Sequence, residues 1–136
     1  MGACLLRMPI SDRDTKVQSL RPMLDLPLAG KPMEQFQNEV LRPVLKFQND
    51  WILGYTKLFL HKRNKEFNQL TRRAQEQLIR QSSMNDPELR NTLISGVVGM
   101  LTTEELEYYF AQRAECNKRL IQMAIQRILD QVEQLY

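Results

Sequence analysis

Histidine is almost absent from this chain, and that scarcity removes whole classes of chemistry. A single residue, His61, excludes His-x-x-x-His zinc motifs and any multi-histidine metal centre. A di-iron bundle site is excluded too, because it needs two Glu-x-x-His pairs and Leu58 stands three residues before His61. The two cysteines, Cys4 and Cys116, lie far apart with no Cys-x-x-Cys pair. That pattern argues against a disulfide framework and for a reducing cytoplasm. The longest uncharged run is the 13 residues from Asn91 to Thr103, and a bilayer span needs about 20, so no transmembrane helix is expected. The start, Met1 to Arg7, has too short an apolar run for a signal peptide, and Leu6 occupies the place where myristoylation wants Ser or Thr. Residues 1–10 therefore read as a flexible leader. There is no Gly-x-Ser-x-Gly elbow, no phosphate-cradling glycine loop, no internal repeat and no stretch of strand-period alternation. No cofactor is implied, and the sequence leans away from an enzyme.

What remains is ordinary for a folded chain of one domain: 43% hydrophobic and 26% charged, with a formal net charge of +3. The organising stretch is Met33 to Leu60. Met33, Phe36, Val40, Val44, Phe47, Trp51, Tyr55 and Leu58 recur about every 3.6 residues, the period of one helical face. Pro43 lies inside it and either breaks the helix near Arg42 or kinks it, and the stripe's continuity in phase favours a kink. A second stripe runs Leu106, Phe110, Ala114, Asn117, Ile121, Ala124, Ile128, Val132 and Leu135 with the same period. Thr102 with Glu105 forms a capping box that opens this second long helix, which is expected to reach the C-terminus.

Between and before these rods, Ser11 can cap a helix to about Leu20, ended by Pro22. Leu24, Leu26, Pro27 and Leu28 read as an extended arm lying on the helical body. Leu70, Ala74 and Leu78 suggest a short helix over 71–81, with Ser82 to Asn85 as a loop. Asp86-Pro87-Glu88 is a helix start, and 93–101 is apolar on nearly every side. Gly96 and Gly99 in that segment suit close approach by a neighbouring helix, or Gly99 simply ends the helix. The expected fold is all-α: two long helices, the first kinked at Pro43, with two or three short ones. Residues 11–136 form the domain, 11–32 as docked arm and 33–136 as bundle.

Three groups of residues are candidates for function. Phe47, Trp51, Tyr55 and Phe110, with Asn117, mark an apolar seam or interface larger than short helices cover. Lys62, Arg63, Lys65, Arg72, Arg73 and Arg80 give the stretch 61–80 a local excess of positive charge, +6 against the −2 of Glu66 and Glu76. A phosphate-tracking surface is one reading and a solvated face is the other, because only Phe67 interleaves the charges. Asn117, the polar residue inside the second stripe, sets register or partner choice, sits at a solvent edge, or lines a polar pocket with Tyr109 and Arg113. His61 reads as a solvated residue at a helix end, Cys116 as a buried structural thiol, and Glu104, Glu105 and Glu107 as a helix-stabilising first turn.

The run Met33-Glu34-Gln35-Phe36-Gln37-Asn38-Glu39-Val40-Leu41-Arg42-Pro43-Val44-Leu45-Lys46-Phe47-Gln48 resembles a small family of short, all-helical bacterial proteins of uncharacterised function. So does the pairing of Leu101-Thr102-Thr103-Glu104-Glu105 with Asn117-Lys118-Arg119, and the resemblance covers residues 15–133. Some members carry the label glyoxalase, which implies a metal-dependent lyase on a βαβββ fold with histidine and glutamate ligands. This chain has a helical pattern and one histidine, so the resemblance implies a bacterial cytoplasmic setting and carries over no catalytic residue. The leading expectation is a non-enzymatic helical module that self-associates or binds another protein. The alternatives are a nucleic-acid or polyanion binder through 61–80, and a small-ligand protein built around Trp51, Tyr109, Arg113 and Asn117.

Overall fold

The structure is a computed structural model that describes residues 11–24, 26 and 30–136; the expected leader and Pro27 and Leu28 of the expected arm lie outside them. Every regular element among the described residues is helical. They are α1 (Asp12–Ser19), α2 (Pro32–Phe36), a wide turn (Gln37–Leu41), α3 (Arg42–Phe47), α4 (Asn49–Arg63), α5 (Arg72–Asn85), α6 (Pro87–Val98), α7 (Thr103–Ala111) and α8 (Arg113–Asp130). Single-turn 3₁₀ segments lie at Phe67–Gln69 and Val132–Leu135. None of these helices is long and apolar enough to cross a membrane.

The first rod shows how a proline is absorbed. Pro43 lacks an amide hydrogen, and its ring crowds the carbonyl of Glu39 in a regular α-helix. The chain answers one turn earlier: the Arg42 amide donates to the Gln37 carbonyl five residues back, a π-type turn, and backbone angles stay helical through Leu41 and Arg42. The break falls at Gln48 (φ −84°, ψ 7°), whose side chain donates to the Gly96 carbonyl at 2.9 Å.

That wide turn corrects the expected stripe. It inserts one residue into the repeat, so the inward position passes from Phe36 to Leu41, five residues on rather than four. Beyond it the buried positions are Val44, Leu45, Ile52, Leu53, Phe59 and Leu60. Phe47, Trp51 and Leu58, which the unbroken period places in the core, are exposed instead. One residue turns a helix by about 100°, enough to move a side chain off the core face.

The second rod is also divided. The capping box is present, with Glu105 N–H donating to Thr102 Oγ1 at 3.2 Å and Thr102 N–H donating to Glu105 Oε1 at 2.8 Å. The helix it opens ends at Ala111, and Gln112 (φ −126°, ψ 34°) separates α7 from α8. Phe110 and Ala114 are exposed in consequence, while Tyr109, Cys116 and Leu120 turn inward. From Ile121 through Ala124, Ile128, Val132 and Leu135 the expected stripe is buried.

Two local expectations also change. Ser82–Asn85 continues α5 instead of looping, because the boundary belongs to Pro87, which holds Asp86 extended (φ −80°, ψ 116°). The buried face of α5 is Gln75, Ile79 and Ser83, with Leu70, Ala74 and Leu78 half-buried beside it. Gln75 is satisfied by donating to the Phe67 carbonyl at 2.9 Å. His61 is no solvated end residue either: its Nε2 lies 2.6 Å from the Leu135 carbonyl, and its ring meets Phe67 edge-on.

The core lies where α8 packs against α5, α6 and α4, with the Val132–Leu135 turn closing on α4. The N-terminal segment is fastened to the α6–α7 corner by polar contacts. Arg21 donates to both oxygens of Glu105 at 2.7 and 2.6 Å and to the Met100 carbonyl at 2.9 Å. Asp14 accepts from the Thr103 hydroxyl at 2.6 Å, and Arg13 donates to the Leu101 carbonyl at 2.9 Å.

Candidate functional site

Exposed apolar side chains stand on the outer face of α4 and at Phe47, the last residue of α3. Phe47 is 42% exposed, Trp51 38% and Leu58 71%. At about 100° per residue, Trp51, Gly54 and Leu58 fall within an arc of about 60°. The Trp51 six-membered ring lies over Gly96 of α6, where any Cβ would collide with it. The close neighbour at Gly96 is thus an indole and not the helix backbone expected, and Gly99 caps the C-terminal end of α6. Tyr55, half-buried, stacks between Trp51 (centroids 5.9 Å) and Phe59 (6.4 Å), which joins the outer face to the core.

Gly54 behaves differently. A Cβ there would meet nothing within 4 Å, so neither steric need nor packing in the monomer calls for glycine. A mid-helix glycine costs about 1 kcal/mol against alanine. It sits exposed at one edge of that arc, between Trp51 and Leu58 along the helix, with exposed Asp50 before it and half-buried Lys57 after it.

The remaining expected sites are distributed unevenly. Phe110 is 63% exposed, edge-on to Tyr109 and 5.5 Å from the Arg113 guanidinium carbon. Among the described residues no aromatic pairing joins it to Trp51 or Tyr55. The Tyr109 hydroxyl donates to Asn117 Oδ1 at 2.6 Å, a bond that spans the Gln112 break. Tyr109 and Asn117 are thus brought together, whereas Arg113 turns to Phe110. In the 61–80 stretch, Arg63 pairs with Glu88 (2.9 Å) and Asp86 (3.3 Å), and Arg72 with Glu76 (3.1 Å) and Glu133 (3.6 Å). Lys62, Lys65, Arg73 and Arg80 are exposed.

Chemically, Cys116 is fully buried, and that burial pushes its thiol above the ordinary 9.0, so it is a poor nucleophile. No group of three or more His, Cys, Asp or Glu suited to a metal ion occurs among the described residues. The sequence reading overlooked a cleft between the wide turn and α8, lined by Arg42, Arg119 and Arg127. Its one visible trace is the polar spacing Glu115, Arg119, Gln122, Gln126, Asp130 along α8.

No protein-family model, curated protein or solved structure matches the chain, so no residue role reaches it from a relative.

Proposed function

We propose that the chain is a helical self-association module whose contact face is the outer stripe of α4. The observation that carries this is Gly54: an exposed glycine with open space around it, between exposed Trp51 and Leu58 along the helix. A second helix crossing there gains close backbone approach, which gives the residue a purpose the monomer does not.

Charge supports an antiparallel pair of copies. In such a pair centred near Gly54, Asp50 of one copy lies opposite Lys57 of the other, and the two-fold axis repeats the contact. Trp51, seated on Gly96, presents an aromatic anchor, and Leu58 is the most exposed member of the arc. A face this narrow suits transient rather than obligate association.

Sedimentation velocity over a concentration series tests the reading. Wild type is expected to shift toward a dimer, and Leu58→Glu to remain monomeric while keeping its melting temperature. Asp50→Lys is expected to weaken the dimer, and Asp50→Lys with Lys57→Asp to restore it. An exposed pair contributes only ~0.2–1 kcal/mol, so the swap should change affinity by a few-fold. A clean monomer at the highest attainable concentration removes the proposal.

A further inference from the structure

The cleft between the wide turn and α8 gathers three arginines, Arg42, Arg119 and Arg127, with one carboxylate, Asp130, in its lining. It is about 570 Å³, within the size range of small-ligand sites. Three guanidinium groups border it, and each is propped by a neutral amide. Arg119 Nη1 donates to Gln37 Oε1 at 2.9 Å, Arg127 Nη1 to Asn49 Oδ1 at 3.2 Å, and Arg42 Nε to Asn38 Oδ1 at 3.1 Å. Arg119 also has Glu115 at 3.6 Å; among the described residues neither Arg42 nor Arg127 has a carboxylate within ion-pair distance.

Each guanidinium carries five N–H donors, and the amides engage one apiece. Arg127 bears an electrostatic cost for the arrangement: burial first, and the Arg42 charge second, hold it below the ordinary arginine range. Like charges held together in a partly dry cleft oppose folding, and an anion between them reverses the sign. The turn that supplies Gln37 and leads into Arg42 is the π-type insertion, a feature frequent at functional sites.

The geometry points to this cleft as a binding site for a small phosphate monoester. Three cations face the nearby carboxylates of Asp130 and Glu115, and Asp130 Oδ1 already accepts from Gln126. A phosphate monoester brings about −1.5 to −2 at neutral pH, together with oxygens that match arginine forks. Gln122, which also lines the cleft, supplies an amide for the hydroxyls of the ester's body, Leu45 and Met123 give apolar lining, and the Gln131 amide is occupied by Asn49 and the Arg127 carbonyl. The site is separate from the outer face of α4, and neither reading depends on the other.

Calorimetric titration of the full chain at low salt with inorganic phosphate, pyrophosphate and citrate tests it. One-site saturable binding of a phosphate probe is expected. Arg42→Gln and Arg127→Gln should each weaken it about tenfold or more, the worth of one charge-assisted hydrogen bond. Lys16→Gln, on the exposed surface of α1, should leave it unchanged. Without ligand, both cleft variants should melt at or above the wild-type temperature, because a repulsion is relieved; an arginine with a purely structural role gives the opposite. Phosphate should also raise the wild-type melting temperature beyond sodium chloride of equal ionic strength, a readout that needs no variant. Equal effects of the two salts, equal weakening in Lys16→Gln, or citrate binding more tightly than either phosphate would each overturn the proposal.

Discussion

At the scale of single residues, the two glycines that face Trp51 and the solvent have opposite meanings. At Gly96 an added Cβ would meet the indole, and the exposed indole has room to swing outward. Gly96→Ala therefore trades a helix-propensity gain of up to about 1 kcal/mol against lost indole packing of similar size. The net change in melting temperature should be small, while the fluorescence of the sole tryptophan shifts red as it enters water. An unchanged emission maximum would mean that the indole does not rest on Gly96. Glu105 is the residue with the clearest pH signature. Burial opposes its ionisation, but the Arg21 guanidinium and the Thr102 amide outweigh that and hold its carboxyl below the ordinary 4.5. A carboxylate with a depressed folded-state pKa stabilises the fold above its unfolded value and loses that contribution as pH falls through its folded value. Stability should thus decline as pH drops below 4.5, and Glu105→Gln should flatten this part of a melting-temperature profile. With the side chains of Arg21 and Glu105 only 10% and 15% exposed, the substitution should also cost about 3 kcal/mol at neutral pH by leaving a guanidinium unpaired.

At the scale of elements, caps were legible in the sequence and phase was not. Ser11, Asp86 and Thr102 each cap the helix that follows, because a cap is a local hydrogen bond between neighbours in the chain, and Thr71, which the sequence placed inside its helix, caps α5 too. Phase accumulates along a rod, and one inserted residue at 37–41 spoils it for everything beyond. The period count could not register this, since Val40 and Leu41 are both apolar and either continues a stripe. Gln112 hid its break in the same way, with a side chain that suits a helix and flanks that are helical too. Deleting Asn38 tests the insertion directly. It should convert the wide turn to an α-turn, rotate α2 by about 100° and pull Phe36 from its place beside Tyr108 (centroids 4.7 Å). Losing that buried ring should cost about 1.5–3 kcal/mol. In the deletion background Phe36→Ala should then add little, and a full additive cost would show that the turn does not set the position of Phe36.

At the scale of the whole molecule, the sequence suggested an apolar surplus without saying which face carries it. It named Phe47, Trp51 and Phe110 as members of a seam or interface, and the fold turns all three outward. The arginine cleft was invisible for a different reason: Arg42 and Arg127 are 85 positions apart and meet only when α8 lies across the wide turn. Gly54 joins the residue scale to this one. In the monomer, Gly54→Ala fills open space on an exposed helix and should stabilise the fold by up to about 1 kcal/mol. In a dimer crossing at that point the same methyl separates the two backbones and should weaken association. One substitution is thus expected to raise the melting temperature at low concentration and to remove its dependence on concentration, which association otherwise imposes by mass action. Wild type whose melting temperature does not move with concentration, or an alanine variant that associates as tightly as glycine, leaves the open space at Gly54 without a role.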